Sequence, residues 1–205
     1  MEHVTVKDLV LGSGGILVSG SEETPVSHIR LDSRQVEPGD LFVPLLGERV
    51  DSHRFLPQVM GQGAAAVLTS QGPALPEDGA GCAVIRVEDT KKALQKIGSY
   101  LRDRLTLPLV GVTGSVGKTT TREMIAAALS ARFRVYKTPG NSNSQVGVPV
   151  TLSEITENDQ VGVIELGMSC LLYTSIKLAG ACCRGGGRAF RLRQGFSGSR
   201  IPSPR

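Results

Sequence analysis

The run Val110-Gly-Val-Thr-Gly-Ser-Val-Gly-Lys-Thr-Thr120 constrains this 205-residue chain more than any other feature. The apolar stretch Leu107 to Val112 reads as a buried strand. Thr120 to Leu129 then sets Met124, Ile125, Ala128 and Leu129 at the spacing of one helix face. Between strand and helix lie Gly114 and Gly117, where the backbone can turn tightly and approach a ligand with no Cβ in the way. Amides at a helix start are unpaired and partly positive, so they attract phosphate. The pattern assigns Thr113, Gly114, Ser115, Val116, Gly117, Lys118, Thr119 and Thr120 to a nucleotide-phosphate cradle. Lys118 is expected to reach the outer phosphates and the Thr119 hydroxyl to ligate Mg²⁺. A strict phosphate loop has glycine where this chain has Val112. The competing reading is a plain glycine-rich connection, which Gly-Lys-Thr at the helix start disfavours.

Strands and helices alternate on both sides of this loop. His28 to Asp32 and Leu41 to Leu45 read as strands joined by the turn Glu37-Pro-Gly-Asp40. Asp51 caps an expected helix over Ser52 to Gln62, which Pro57 kinks or shortens, and Gly63 stops it. Ala64 to Thr69 and Ala83 to Val87 are strands around a Pro- and Gly-rich loop, Gln71 to Gly81. Asp89 caps a helix whose apolar face is Ala93, Leu94, Ile97 and Leu101. After a boundary at Leu105 to Pro108, the phosphate-loop strand and helix are followed by a strand at Phe133 to Lys137 and a polar turn at Thr138 to Ser144. A short helix near Pro149 and an apolar strand at Gln160 to Leu166 complete the series. The expected architecture is α/β: a small mixed α/β amino-terminal domain over 1–105, then an incomplete doubly wound parallel sheet of P-loop type over 106–169.

The net charge of +4 misleads, because residues 170–205 hold seven Lys and Arg and no acid. Without them, 16 basic and 19 acidic residues leave −3, so the chain as a whole is no nucleic-acid binder. This tail also has three of the four cysteines and neither helical nor strand periodicity. It reads as disordered, or as sequence foreign to the gene, since Cys170-Leu-Leu-Tyr-Thr-Ser175 looks like one frame of a transposon end used in DNA libraries. Adjacent Cys182 and Cys183 lack metal-ligand spacing. Glu2, Lys7 and Asp8 interrupt the early apolar run, so no secretory signal and no membrane span is expected, and the chain reads as cytoplasmic.

Glu165 ends a strand at the edge where ligands of open α/β sheets bind, and with Lys118 and Thr119 it is expected to hold a magnesium ion on phosphate oxygens. Asn141 and Asn143, in Thr138-Pro-Gly-Asn-Ser-Asn143, can donate to phosphate, although the same residues also suit an ordinary turn. Asp32-Ser33-Arg34 suits an anionic or uridine-like ligand as well as it suits a surface ion pair. Gly47-Glu-Arg-Val-Asp-Ser-His53 is a polar loop opening a helix, with His53 on the surface. The sequence suggests no Ser-His-Asp arrangement.

Val110 to Thr120, Thr138 to Pro149 and Val163-Ile-Glu-Leu-Gly-Met168 resemble the central domain of the Mur ligases. Asp32 to Phe42 and Gly47 to Phe55 resemble their uridine-nucleotide-binding amino-terminal domain. The resemblance spans residues 25–169, and Val112 is normal in this family. It implies an ATP- and Mg²⁺-dependent ligase of peptidoglycan precursor synthesis. In such an enzyme ATP phosphorylates the terminal carboxylate of a UDP-N-acetylmuramoyl tripeptide, and the amine of D-alanyl-D-alanine attacks the acyl phosphate. By the same match, Lys118 and Glu165 are catalytic, Thr119 and Glu165 hold metal, Asn141 contacts the nucleotide, and Ser33 and Arg34 face the uridine end. A cytoplasmic monomer is implied, with no membrane or nucleic-acid partner. Family members continue well beyond this length, so the chain is expected to be a fragment without turnover. The sister ligase adding the third amino acid and a non-catalytic nucleotide-binding module are the alternatives.

Overall fold

The computed structural model describes residues 1, 3–47, 50–71, 81–167 and 179–183, the last as backbone. Glu48, Arg49, Met168, most of the Gln71 to Gly81 loop and the remainder of the tail lie outside the described residues.

The first unit begins with two elements that the sequence reading passed over. Helix α1 (Val6–Ser13) is capped at Thr5, whose N–H donates to Asp8 Oδ2 at 3.0 Å, and strand β1 (Ile16–Ser19) follows. Then come β2 (Ile29–Arg30), β3 (Leu41–Phe42), α2 (Leu56–Gly61), β4 (Ala66–Thr69), β5 (Ala83–Arg86) and α3 (Thr90–Arg104). The sheet order is β1-β5-β4-β3-β2, with β2 to β5 parallel and β1 antiparallel on the edge. Its two faces are buried separately. Leu41, Ala66, Leu68 and Ile85 pack under α1 and α3, while Phe42, Val67 and Val84 pack under α2. The expected helix over 52–62 is split: Ser52–Phe55 is a 3₁₀ turn and only Leu56–Gly61 is α. Pro57 stands in the first α-helical turn, where its missing N–H costs nothing, so it starts the helix rather than kinking it.

The second unit comprises β6 (Leu109–Gly114), α4 (Lys118–Ser130), β7 (Val135–Lys137), α5 (Gly147–Ser153), β8 (Val161–Glu165) and β9 (Ala179–Cys183). Every pairing in its sheet, β7-β8-β6-β9, is parallel. Val112 and Val163 face α4, whereas Leu109 and Ile164 face α5, so helices cover both sides. The expected α/β architecture, a mixed domain followed by a doubly wound parallel sheet, is therefore the one observed.

Two expectations are corrected. Met124 and Ala128 on α4 are exposed; the face turned inward is Arg122, Ile125, Ala126 and Leu129, one step round the helix. In the tail, Ala179–Cys183 is a strand beside β6, where no periodicity pointed to one. The edge of β6 offers a row of amides and carbonyls that any extended backbone can satisfy, whatever its side-chain pattern. Among the described residues no helix is long and apolar enough to cross a membrane.

Candidate functional site

The phosphate loop lies between two glycines of positive φ, Gly114 at 152° and Gly117 at 74°. β6 ends at Gly114, Ser115 and Val116 stand exposed, and Gly117 adopts φ +74° as the amino-terminal cap of α4. A side chain would strain that left-handed conformation, which is why glycine precedes the lysine. Lys118 folds back across the loop and its Nζ donates to the Gly114 carbonyl at 2.8 Å. Its ammonium therefore lies against the loop at the amino-terminal end of α4, where unpaired amides attract phosphate.

Thr119, one residue on, donates its hydroxyl to Glu165 Oε2 at 3.0 Å. Thus the residues expected to share a metal meet, although 46 positions separate them. Glu165 is 1% exposed and bonded at both carboxylate oxygens. Asn143 Nδ2 donates to its Oε1 at 2.7 Å, Arg122 Nη1 donates to its Oε2 at 3.1 Å, and its own N–H donates to the buried Thr138 hydroxyl at 2.9 Å. Asn143 rather than Asn141 touches the carboxylate; Asn141 is exposed on the same loop, its carbonyl accepting from the Asn143 N–H at 2.7 Å. Thr113 is half-buried at the end of β6, and Thr120 is exposed on α4.

Arg122 and Thr138 were missed by sequence reasoning. Arg122 is 4% exposed, and a signal existed: it shares the i, i+3, i+4, i+7 stripe of Ile125, Ala126 and Leu129, where a charge is out of place unless paired. Thr138 gave no such signal, since a threonine beside Pro-Gly reads as part of the turn.

The donor set suits magnesium held against phosphate. Mg²⁺ takes one or two protein oxygens and completes its shell with phosphate oxygens and water. Thr119 and Glu165 supply such a pair, and among the described residues no group of three His, Cys, Asp or Glu comes together to cage an ion alone. When bound, the ion would neutralise charge on the phosphate oxygens.

In the amino-terminal unit Ser33 is buried at the start of a 3₁₀ turn. Arg34 is exposed and forks onto Asp32, with Nη2 to Oδ2 at 2.6 Å and Nε to Oδ1 at 2.9 Å. That guanidinium holds the Asp32 carboxyl down at about 2. Neither residue lies in the Glu165 cluster.

A cavity of about 590 Å³ opens where the carboxyl ends of β3, β4 and β5 meet the start of α3. His53, Ser70, Gln71, Thr90 and, from the second unit, Val146 are among its lining residues. Contrary to expectation, His53 is buried and stands between an aspartate and a serine. Its Nδ1 lies 2.6 Å from Asp51 Oδ1 and its Nε2 lies 3.1 Å from Ser70 Oγ. The Ser70 backbone N–H also donates to that Nε2 at 3.2 Å, so the nitrogen that a nucleophilic serine would need as its base is already engaged by main chain. The chain of contacts ties loop 46–53 to the end of β4 and, through Gln71 Nε2 on Asp51 Oδ2 at 2.5 Å, to the loop beyond it.

Comparison with known proteins accounts for both units. Residues 25–101 match the model described as the Mur ligase family, catalytic domain, and residues 112–177 match the Mur ligase middle domain, a match that runs past Ser169. The UDP-N-acetylmuramoyl-tripeptide–D-alanyl-D-alanine ligase of Synechocystis sp. is 45% identical over 150 residues, covering 72% of this chain and 32% of the relative. The enzyme of the same name from Bacillus subtilis is 42% identical over 167 residues, covering 80% and 36%. Among solved structures, crystal structure II of MurF from Acinetobacter baumannii superposes with a TM-score of 0.74 at 33% identity, over 87% of this chain and 40% of that one. MurF ligase from Thermotoga maritima in complex with ADP does so with a TM-score of 0.61 at 31% identity, over 71% and 33%. The chain thus spans about a third of the length of the curated relatives it matches. With the phosphate loop, the Thr119–Glu165 pair and two matched domains in the same order, the chain belongs to the Mur ligase family.

Proposed function

We propose that this chain supplies the ATP-phosphate and UDP-substrate sites of a ligase that joins D-alanyl-D-alanine to a UDP-N-acetylmuramoyl tripeptide. The observation that supports it most is the meeting of Lys118, Thr119 and Glu165 around one loop, with Lys118 Nζ on the Gly114 carbonyl and Thr119 Oγ1 3.0 Å from the carboxylate. The names of the relatives supply the substrates, and the ADP complex of the Thermotoga maritima relative supplies the nucleotide.

In this reading Lys118 leaves the Gly114 carbonyl to pair with the outer phosphates, and the loop amides hold the remaining oxygens. Thr119 and Glu165 would hold Mg²⁺, with Asn143 bonded to the carboxylate and Asn141 contacting the nucleotide. These groups position reactants and neutralise charge, the main protein contribution to phosphoryl transfer. The substrate carboxylate takes the γ-phosphoryl group, ADP leaves, and the incoming amine displaces phosphate to form the amide. The uridine end belongs with the amino-terminal unit, where Ser33, Arg34 and the His53-lined cavity offer polar groups at the carboxyl edge of a parallel sheet. ATP and a UDP-linked precursor are cytoplasmic reactants, and in this reading the enzyme acts on them there as a monomer.

Calorimetry of the 205-residue chain with ADP, with and without Mg²⁺, tests the proposal. Magnesium-dependent uptake is expected, and Lys118→Ala abolishes it; absence of uptake by the unsubstituted chain overturns the reading. UDP-muramoyl tripeptide is expected to bind more tightly than UDP-muramoyl dipeptide, and the reverse order would point to the sister ligase.

A further inference from the structure

Beside the Glu165 carboxylate stands a buried charged side chain to which the roles above give no function. Arg122 lies on the inward face of α4 among Ile125, Ala126 and Leu129, and is 4% exposed. Removing a guanidinium from water costs several kcal/mol, and apolar replacements at such sites are often neutral or stabilising, so packing alone does not explain an arginine here. Its bonds do. One Nη1 donates to Glu165 Oε2 at 3.1 Å and to the Gly140 carbonyl at 2.5 Å, while Nε and Nη2 donate to Glu123 Oε1 at 3.2 and 2.7 Å. Glu123 is paired in turn with Lys137 at the end of β7. One planar group thereby spans α4, the loop after β7 and the end of β8.

We propose that Arg122 is a positioning residue for the cation site: it fixes the Glu165 carboxylate against Thr119 and, through Gly140, holds the 138–144 loop so that Asn143 closes on the other carboxylate oxygen. The role rests on the nucleotide reading given above. Arginine is suited to it because its donors diverge in a rigid fork, whereas a lysine ammonium presents all three donors from one atom and cannot reach three acceptors on different elements. Residues that orient a metal's ligands in this way typically contribute about 10- to 100-fold to metal affinity.

The test is the factor by which Mg²⁺ tightens ADP binding to the 205-residue chain, measured by calorimetry for the unsubstituted protein, Arg122→Lys and Glu123→Gln. Lysine keeps the positive charge, so the comparison isolates geometry. In Arg122→Lys the magnesium factor is expected to fall about tenfold or more, while ADP binding without magnesium stays within about twofold. Glu123 is half-exposed, so Glu123→Gln reads the same effect without a buried change and decides the matter if Arg122→Lys does not fold; there the factor falls in the same direction by less. A loss of stability alone would lower the folded fraction and leave the factor untouched. A magnesium factor equal to that of the unsubstituted chain in every variant that folds overturns the positioning role and leaves the nucleotide site standing. No magnesium-dependent uptake by the unsubstituted chain overturns both.

Discussion

Glu165 combines two requirements that normally conflict: a carboxylate that the proposed function turns toward a cation is held 1% exposed. A buried carboxylate persists only when its acceptor sites are filled, and here Arg122, Thr119 and Asn143 fill three of about four. Its backbone N–H relies on the Thr138 hydroxyl alone among the described contacts, so Thr138→Val, nearly the same in shape, leaves a buried donor unpaired. The substitution is expected to cost about 1–3 kcal/mol in urea denaturation, and an unchanged midpoint would show that the amide finds another acceptor. Asp32 behaves oppositely, since its partner is in water. The Arg34 fork lowers its carboxyl from 3.8 to about 2. A group whose folded value is depressed adds stability that is complete above the unfolded value and fades as pH falls from near 4 towards 2. Carboxyl NMR titration is expected to place Asp32 at about 2 and to return it to the ordinary carboxylate range in Arg34→Gln. The phosphate-loop residues were legible in the sequence because strand, glycine, lysine and helix follow in contiguous order, and Glu165 because it ends an apolar strand at the sheet edge where ligands of open α/β folds bind. Arg122, Thr138 and the Asp51–His53–Ser70 chain were not, because their partners stand 17 to 43 residues away and only the fold brings them close.

Helix α5 is short, yet it joins the two units. It continues from the loop that bears Asn143, packs its Leu152 and Val148 against β8 and β6, and lies on α3 of the first unit. The fit against α3 is made at Gly98, where a Cβ would stand 2.8 Å from Pro149 Cβ and 2.9 Å from its Cα. Gly98→Ala sets two effects against each other. Alanine inside a helix gains up to about 1 kcal/mol over glycine, whereas forcing a methyl into a closed contact costs about 1–3 kcal/mol. Overpacking is expected to win, because the obstacle is a proline ring and its backbone rather than a flexible side chain. Thermal melting should therefore show Gly98→Ala less stable than the unsubstituted chain, and an increase in melting temperature would mean that α5 moves aside freely. The sequence placed α3 by its cap and its apolar face, but not this contact. Gly98 adds nothing to an apolar pattern, and its partner lies in the other domain.

At the scale of the whole molecule, one loop reaches both the Glu165 cluster and the cavity of the amino-terminal unit. Asn143 bonds Glu165, and Val146 lines the cavity of about 590 Å³ at the carboxyl edge of the amino-terminal sheet. A further residue on, Gly147 begins α5, where a Cβ would meet the Ser142 backbone at 2.9–3.1 Å, so the segment between the sites folds closely on itself. Ligands at the two ends of such a segment are expected to be thermodynamically linked, since one that orders the loop for itself leaves less to order for the next. Saturating Mg²⁺ and ADP are therefore expected to tighten UDP-muramoyl tripeptide binding by about fivefold or more, the lower end of ordinary coupling. The tripeptide must then tighten Mg²⁺-ADP binding by the same factor. Equal tripeptide affinities with and without nucleotide, measured by calorimetry on the same preparation, would show that the loop transmits nothing. Coupling that survives in Gly147→Ala, which must reshape the loop, would place the linkage in the α3–α5 contact instead.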